Sequence, residues 1–219
     1  MAQTPSPSNP AGSYPIDTAR IWQLLEHWAK ASEAWWFDLT DPRGMGHYGS
    51  GYNHWGLHTN LKYVAAMTTL ATHPDSPRSV DKAHALKRAL AAFRFAIFSH
   101  HAHTDKSGIT LADESTWGRT WITALAIERM MHVYPALLPH LTDDEKQAWK
   151  EVLLNEAQYL LHDYKRGPIA GIQANPWAHS GQNDGESNIW NGCVLWRIAS
   201  MFPDEPQAGV WQERGHQFL

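Results

Sequence analysis

The sequence predicts an all-α fold of antiparallel α-hairpins, and three observations carry that prediction. Apolar residues recur at helical spacing along most of the chain, and no segment sustains a period of two with β-branched residues. The connections alternate in length, short ones carrying a helix-ending proline and long ones rich in Gly, His, Asn, Asp and Ser. A Trp-led step also returns three times, in NHWGLHTN (Trp55), STWGRTWI (Trp117) and NIWNGCVL (Trp190), each ahead of one helix and then Pro74, Pro135 or Pro203. Such repetition is the signature of a helical solenoid or toroid.

The first helix is expected from Asp17 to about Phe37, started by Pro15 and Asp17, with Ile21, Trp22, Leu25, Trp28 and Ala29 at helical spacing. Further helices are expected from Gly56 to Ala71, Val80 to Ser99, Trp117 to Val133, Thr142 to Asp163, Glu186 to Met201, and from Gln207 onward. Thr142 followed three residues later by Glu145 is a capping box, so the acidic TDDE stretch reads as a helix start and not as a metal site. Short connections fall near 72–79, 134–141 and 202–206. Long ones cover about 38–55, 101–116 and 164–185, and their starts at 38, 101 and 164 lie 63 residues apart. Alternating loop lengths between antiparallel neighbours place every long loop at one end, which is where a site would form.

A chain of 219 residues with 43% apolar composition suits one domain, here residues 16–219 behind a flexible Pro- and Ser-rich arm at 1–15. Net charge is −4 with no run of Lys or Arg, which excludes the basic surface that a nucleic acid partner requires. No apolar window approaches the ~18 residues that would cross a bilayer, so no membrane partner is expected. Cys193 is the single cysteine and reads as a small apolar helix residue; no internal disulfide is possible. The dipeptide Ala2-Gln3 after Met1 resembles a mature secreted N-terminus, giving an expected secreted or periplasmic location. Twelve Trp suit both core filling and the paving of a groove for flat ligands.

On the expected rim, the first loop offers Tyr48, Tyr52, Asn53, His54 and Trp55. Asn53-His54 is the sharpest pair. Abstracting the proton beside a uronate carboxylate needs that carboxylate neutralised, a role for Asn or a protonated His, together with a base and an acid, roles open to His and Tyr. The alternative is a polar turn capping the following helix. The second loop offers Asp113, Glu114, Trp117 and, just inside the helix, Arg119; the third offers Trp177, Asn183, Asp184, Glu186, Asn188 and Trp190. Glu114 or Asp113 facing Asp184 or Glu186 could form the carboxylate pair of a glycoside hydrolase, or each could be a charge at a helix start. His100, His101, His103 and Asp105 are ligand types, but neighbours seldom converge on one ion, so they are expected to be solvated loop histidines, with no metal and no cofactor.

The hairpin repeat, the NHWG step and the segment NDGESNIWNGCVLWRIASMFPDEP resemble the helical toroid domain of polysaccharide lyases, the heparinase-like and alginate-lyase-like enzymes, over about residues 17–219. The resemblance implies a carbohydrate-active enzyme, a lyase acting by β-elimination on a uronate-containing glycan, with Asn53 and His54 matching the family's Asn-His pair and Tyr52 a neighbouring Tyr. Trp55, Trp117, Trp177 and Trp190 would line the sugar groove, with Tyr48, Arg119, Asn183 and Asn188 beside them. A hydrolase of the same architecture and a non-catalytic glycan-binding domain are the alternatives. The helices found here fill only part of the ring such domains close, and QERGHQFL carries no C-cap signal. The edge is therefore expected to be covered by a continuation of the chain or by a second copy in a homo-oligomer.

Overall fold

The computed structural model describes residues 17–49, 53–111, 113–120, 122–163 and 187–218. The expected arm at 1–15 lies outside them. The chain is mostly helical, as the periodicity predicts. Helix α1 (Thr18–Ser32) starts where the Asp17 carboxylate accepts the Arg20 N–H at 3.0 Å. Ile21, expected on its inner face, is instead half exposed, and Trp22, Leu25, Trp28 and Ala29 make the contacts with the core.

The expected helix to Phe37 ends early. A 3-10 turn at Glu33–Trp35 leads into strand β1 (Trp36–Asp38), which pairs antiparallel with β2 (Gly46–Tyr48) in the register Trp36 to Tyr48. Three-residue strands are too short to show an alternating pattern, so periodicity alone missed them. Arg88 ties this ribbon to the helices: its guanidinium lies 4.4 Å over the Trp36 ring, 2.6 Å from Glu33 and 3.2 Å from Asp38.

Next come α2 (Asn53–Thr72), α3 (Lys82–Phe98), the single turn α4 (Thr104–Ser107) and α5 (Thr123–Met131). The span 134–141, expected to be a loop, is helical: α6 (Tyr134–Leu137) runs into a 3-10 turn at Leu138–His140. Helix α7 (Asp143–Gln158) opens with the predicted capping box, Thr142 and Glu145 each bonding the other's backbone N–H. It continues as a π-helical turn, Tyr159–Asp163. Helices α8 (Ser187–Met201) and α9 (Ala208–Phe218) complete the described chain.

Helix α2 packs on α3 and α5, α5 on α8, α8 on α9, and α7 touches both α3 and α8. Between α8 and α9 the approach is close: a Cβ at Gly215 would stand 2.9 Å from the Gly192 carbonyl oxygen, so glycine is needed there. One apolar core runs through these elements, with Trp149 edge-on to Phe93 at 5.0 Å near its centre. No helix among the described residues is long and apolar enough to cross a membrane.

Candidate functional site

The first long connection is pinned from below by Asn60, a fully buried residue that the sequence reading passed over. Its Oδ1 accepts the Tyr48 N–H at 3.0 Å and its Nδ2 donates to the Ala92 carbonyl at 2.9 Å, fixing β2 to α2 and α3 together. A side chain with both a donor and an acceptor suits a junction of three backbones. Tyr48, expected to touch substrate, stacks flat on Tyr63 at 4.7 Å and meets Trp28 edge-on, so its ring is packing and not groove.

Helix α2 begins at Asn53, three residues before the expected Gly56, so Asn53 and His54 lie within its first turn and not in a preceding turn. Their side chains, and Tyr52, lie outside what the structure describes. Trp55 follows and is 55% exposed. One turn further in, His58 is buried, its Nε2 has no hydrogen-bond partner, and its pKa is pushed down to about 4 by burial and by the charges of Lys62 and Arg129.

The second connection departs furthest from expectation. Trp117 does not lead a helix or line a groove. Its ring is 1% exposed, packs edge-on to His100 at 4.6 Å, and donates Nε1–H to the Ala96 carbonyl at 2.7 Å. Helix α5 starts only at Thr123, because Gly118 and Arg119 both adopt positive φ, +116° and +51°. Two successive left-handed residues cannot continue a right-handed helix. Arg119 is therefore in the connection and exposed, with Nε donating to Asn155 Oδ1 at 3.2 Å. Glu114 (φ +62°) and Asp113 are exposed turn residues, Asp113 bonding Ser115, and neither sits at a helix start.

The histidines of this connection are also not the solvated set expected. His100 and His103 are buried, and His103 Nε2–H donates to the Ala148 carbonyl at 3.0 Å. Asp105 is exposed on α4. What converges is His100, His101 and Glu156, the last contributed by α7, with donor atoms within 4.8 Å of one another. Glu156 Oε1 lies 2.9 Å from His100 Nε2 and 3.6 Å from His101 Nε2, and both its oxygens accept the Arg119 N–H, at 3.0 and 3.1 Å.

The residue types suit a divalent cation, but the second nitrogen of His100 decides against one. Its Nδ1 accepts the Ala102 N–H at 3.2 Å, so the proton of the neutral ring is on Nε2, where it is donated to Glu156. A metal-bound Nε2 would need Nδ1 to carry the proton, facing another N–H. The cluster is a hydrogen-bonded hub. Burial holds His100 below the ordinary histidine pKa; for Glu156, bonds from His100, His101 and Arg119 overcome burial and leave its pKa below the usual carboxylate value.

Of the third connection, Trp177, Asn183, Asp184 and Glu186 lie outside the described residues, as does the Asn188 side chain. Trp190 is half-buried against the core, and Asn191 beside it is fully buried with neither side-chain atom bonded. The first and second connections meet directly: Arg43 lies 4.6 Å over the Phe98 ring and donates to the Ser107 carbonyl at 3.2 Å. Through Arg119, Asn155 and Glu156 the second meets the last turns of α7, from which the third departs. No family model, curated protein or solved structure matches this chain.

Proposed function

We propose that this chain is an arc of α-hairpins belonging to a carbohydrate-active enzyme, a polysaccharide lyase that eliminates across a uronate-containing glycan. The observation that carries the reading is the succession α2, α5, α8: each follows a long connection and each packs on the next, while the first two connections and the outlet to the third share one end. Asn53 and His54 open α2 beside the exposed Trp55, which offers a sugar a flat apolar face. Asn53 would neutralise the uronate carboxylate. His54 or Tyr52 would take the adjacent proton, the carbon–oxygen bond to the leaving sugar would break as the double bond forms, and the other of the two would protonate the leaving oxygen.

Incubation with a panel of uronate polymers tests this. A lyase yields an unsaturated product absorbing in the near ultraviolet, and Asn53→Ala and His54→Ala each remove that signal without loss of helical circular dichroism. New reducing ends without absorbance would replace elimination by hydrolysis, the role open to Glu114 or Asp113 with Asp184 or Glu186. Binding with no turnover by either readout would leave a non-catalytic glycan-binding domain.

A further inference from the structure

The exposed surface of the same three helices carries a row of cations. Lys62 on α2 and Arg197 on α8 each follow by seven residues the tryptophan near the start of their helix, Trp55 or Trp190. Arg129 occupies α5, the helix between them. Helix α2 packs on α5 and α5 on α8, and Arg197 Nη2 lies 3.3 Å from Nδ1 of His132, one turn beyond Arg129. Lys62 and Arg129 are exposed, and Arg197 is half-buried at the rim of an apolar cleft of about 510 Å³ with Met131, Tyr134 and Phe202.

Counter-charge is sparse. Among the described residues the one carboxylate paired into this row is Glu128, 3.0 Å from Arg129 and 2.7 Å from His132, and neither Lys62 nor Arg197 forms an ion pair there. In a chain of net charge −4, three cations on successive helices with one paired carboxylate among them are a local excess of positive charge. Flat apolar surface accompanies it in the exposed Trp55 and Trp196.

We propose that Lys62, Arg129 and Arg197 form a cationic track across α2, α5 and α8 that holds an acidic glycan by its carboxylate or sulfate groups. The proposal rests on the sugar-directed reading above but on different residues. A net charge of −4 and the absence of any run of Lys or Arg leave no extended basic surface for a phosphate backbone, whereas a few cations suit a polymer whose acid groups are carried on sugar rings. Cations on the same helices as the exposed indoles of Trp55 and Trp196 fit a polymer of pyranose rings bearing acid groups.

The test compares the wild-type chain with Lys62→Gln/Arg129→Gln/Arg197→Gln, and with the single variants, for binding to polygalacturonate, a sulfated glycan, neutral dextran and a single-stranded oligonucleotide. The expected result is binding to the acidic glycans over dextran, weakened about five- to fifty-fold in the triple variant. Its dependence on salt should flatten as well. Relative strength on the carboxylated and sulfated polymers identifies the acidic group. Equal binding by wild type and triple variant with the same salt slope, indifference between acidic and neutral polymers, tighter binding of the oligonucleotide, or no binding at all would overturn the track. Loss of the lyase reading looks different: acidic glycan is bound through these cations and no unsaturated product appears. If only the track fails, elimination proceeds in the triple variant with unchanged KM.

Discussion

Glu156 is a carboxylate with no solvent around it, and its surroundings nevertheless favour the charged form. Because its folded pKa lies below the unfolded value, it contributes stability that is present above about pH 4.5 and lost as pH falls through the folded value. Glu156→Gln would set its amide NH₂ against an N–H donor in either orientation, His100 Nε2–H or the Arg119 backbone N–H, and the expected cost is about 1–3 kcal/mol at pH 7, shrinking toward pH 4; urea denaturation at the two pH values measures it. Gly118 is held at the same hub. A Cβ there would stand 2.5 Å from His100 Nε2 and 2.8 Å from Glu156 Oε1 at φ +116°, so Gly118→Ala should cost about 3 kcal/mol or more, read in the same assay. His58 has the opposite solvent chemistry and the same sign. With its pKa depressed to about 4, the neutral ring is the folded form, so its contribution is whole above the unfolded value of 6.5 and declines as pH falls toward 4. His58→Leu should reduce the slope of stability between pH 7 and pH 5, leaving the part due to His100 and His47, whose pKa values burial also lowers. An unchanged slope would show that His58 is not the titrating group.

Elements were legible where the determinant is local. Thr142 and Glu145 announce α7 within four residues, and the box forms as read; Thr142→Ala should cost about 1 kcal/mol, visible as a lowered urea midpoint with an unchanged m-value. Helix α5 starts later than its apolar spacing predicts, for a physical reason. The apolar spacing runs on through Trp117, but Gly118 and Arg119 turn left-handed to bring the Arg119 N–H onto Glu156, a residue 37 positions away that no local pattern reveals. The β-ribbon is similar: its register is fixed by Asn60 from α2, and Asn60 looks like any polar residue on a helix until Ala92 is brought beside it. Indole was the least informative signal. Of three tryptophans with the same flanking pattern, Trp55 faces solvent, Trp190 is half-buried and Trp117 is core, because a ring with one N–H donor suits all three environments.

At the scale of the whole molecule, the helical class follows from periodicity, and the packing of α2 on α5 and α5 on α8 follows the order in which the long connections occur. The predicted site groups are less evenly placed: Asn53 and His54 open α2, Glu114 and Arg119 stand in the second connection, and Asp184 and Glu186 lie outside the described residues. The glycan reading therefore stands or falls with whether one ligand can engage the leading turns of three helices at once. Hydrogen–deuterium exchange of the full chain, with and without a saturating polyuronate, measures this directly. Slowed exchange is expected together in the first turns of α2, in α5 and in the N-terminal half of α8, with α1 unaffected. Exchange unchanged on all three helices, or slowed on one alone, would contradict a shared sugar-binding face.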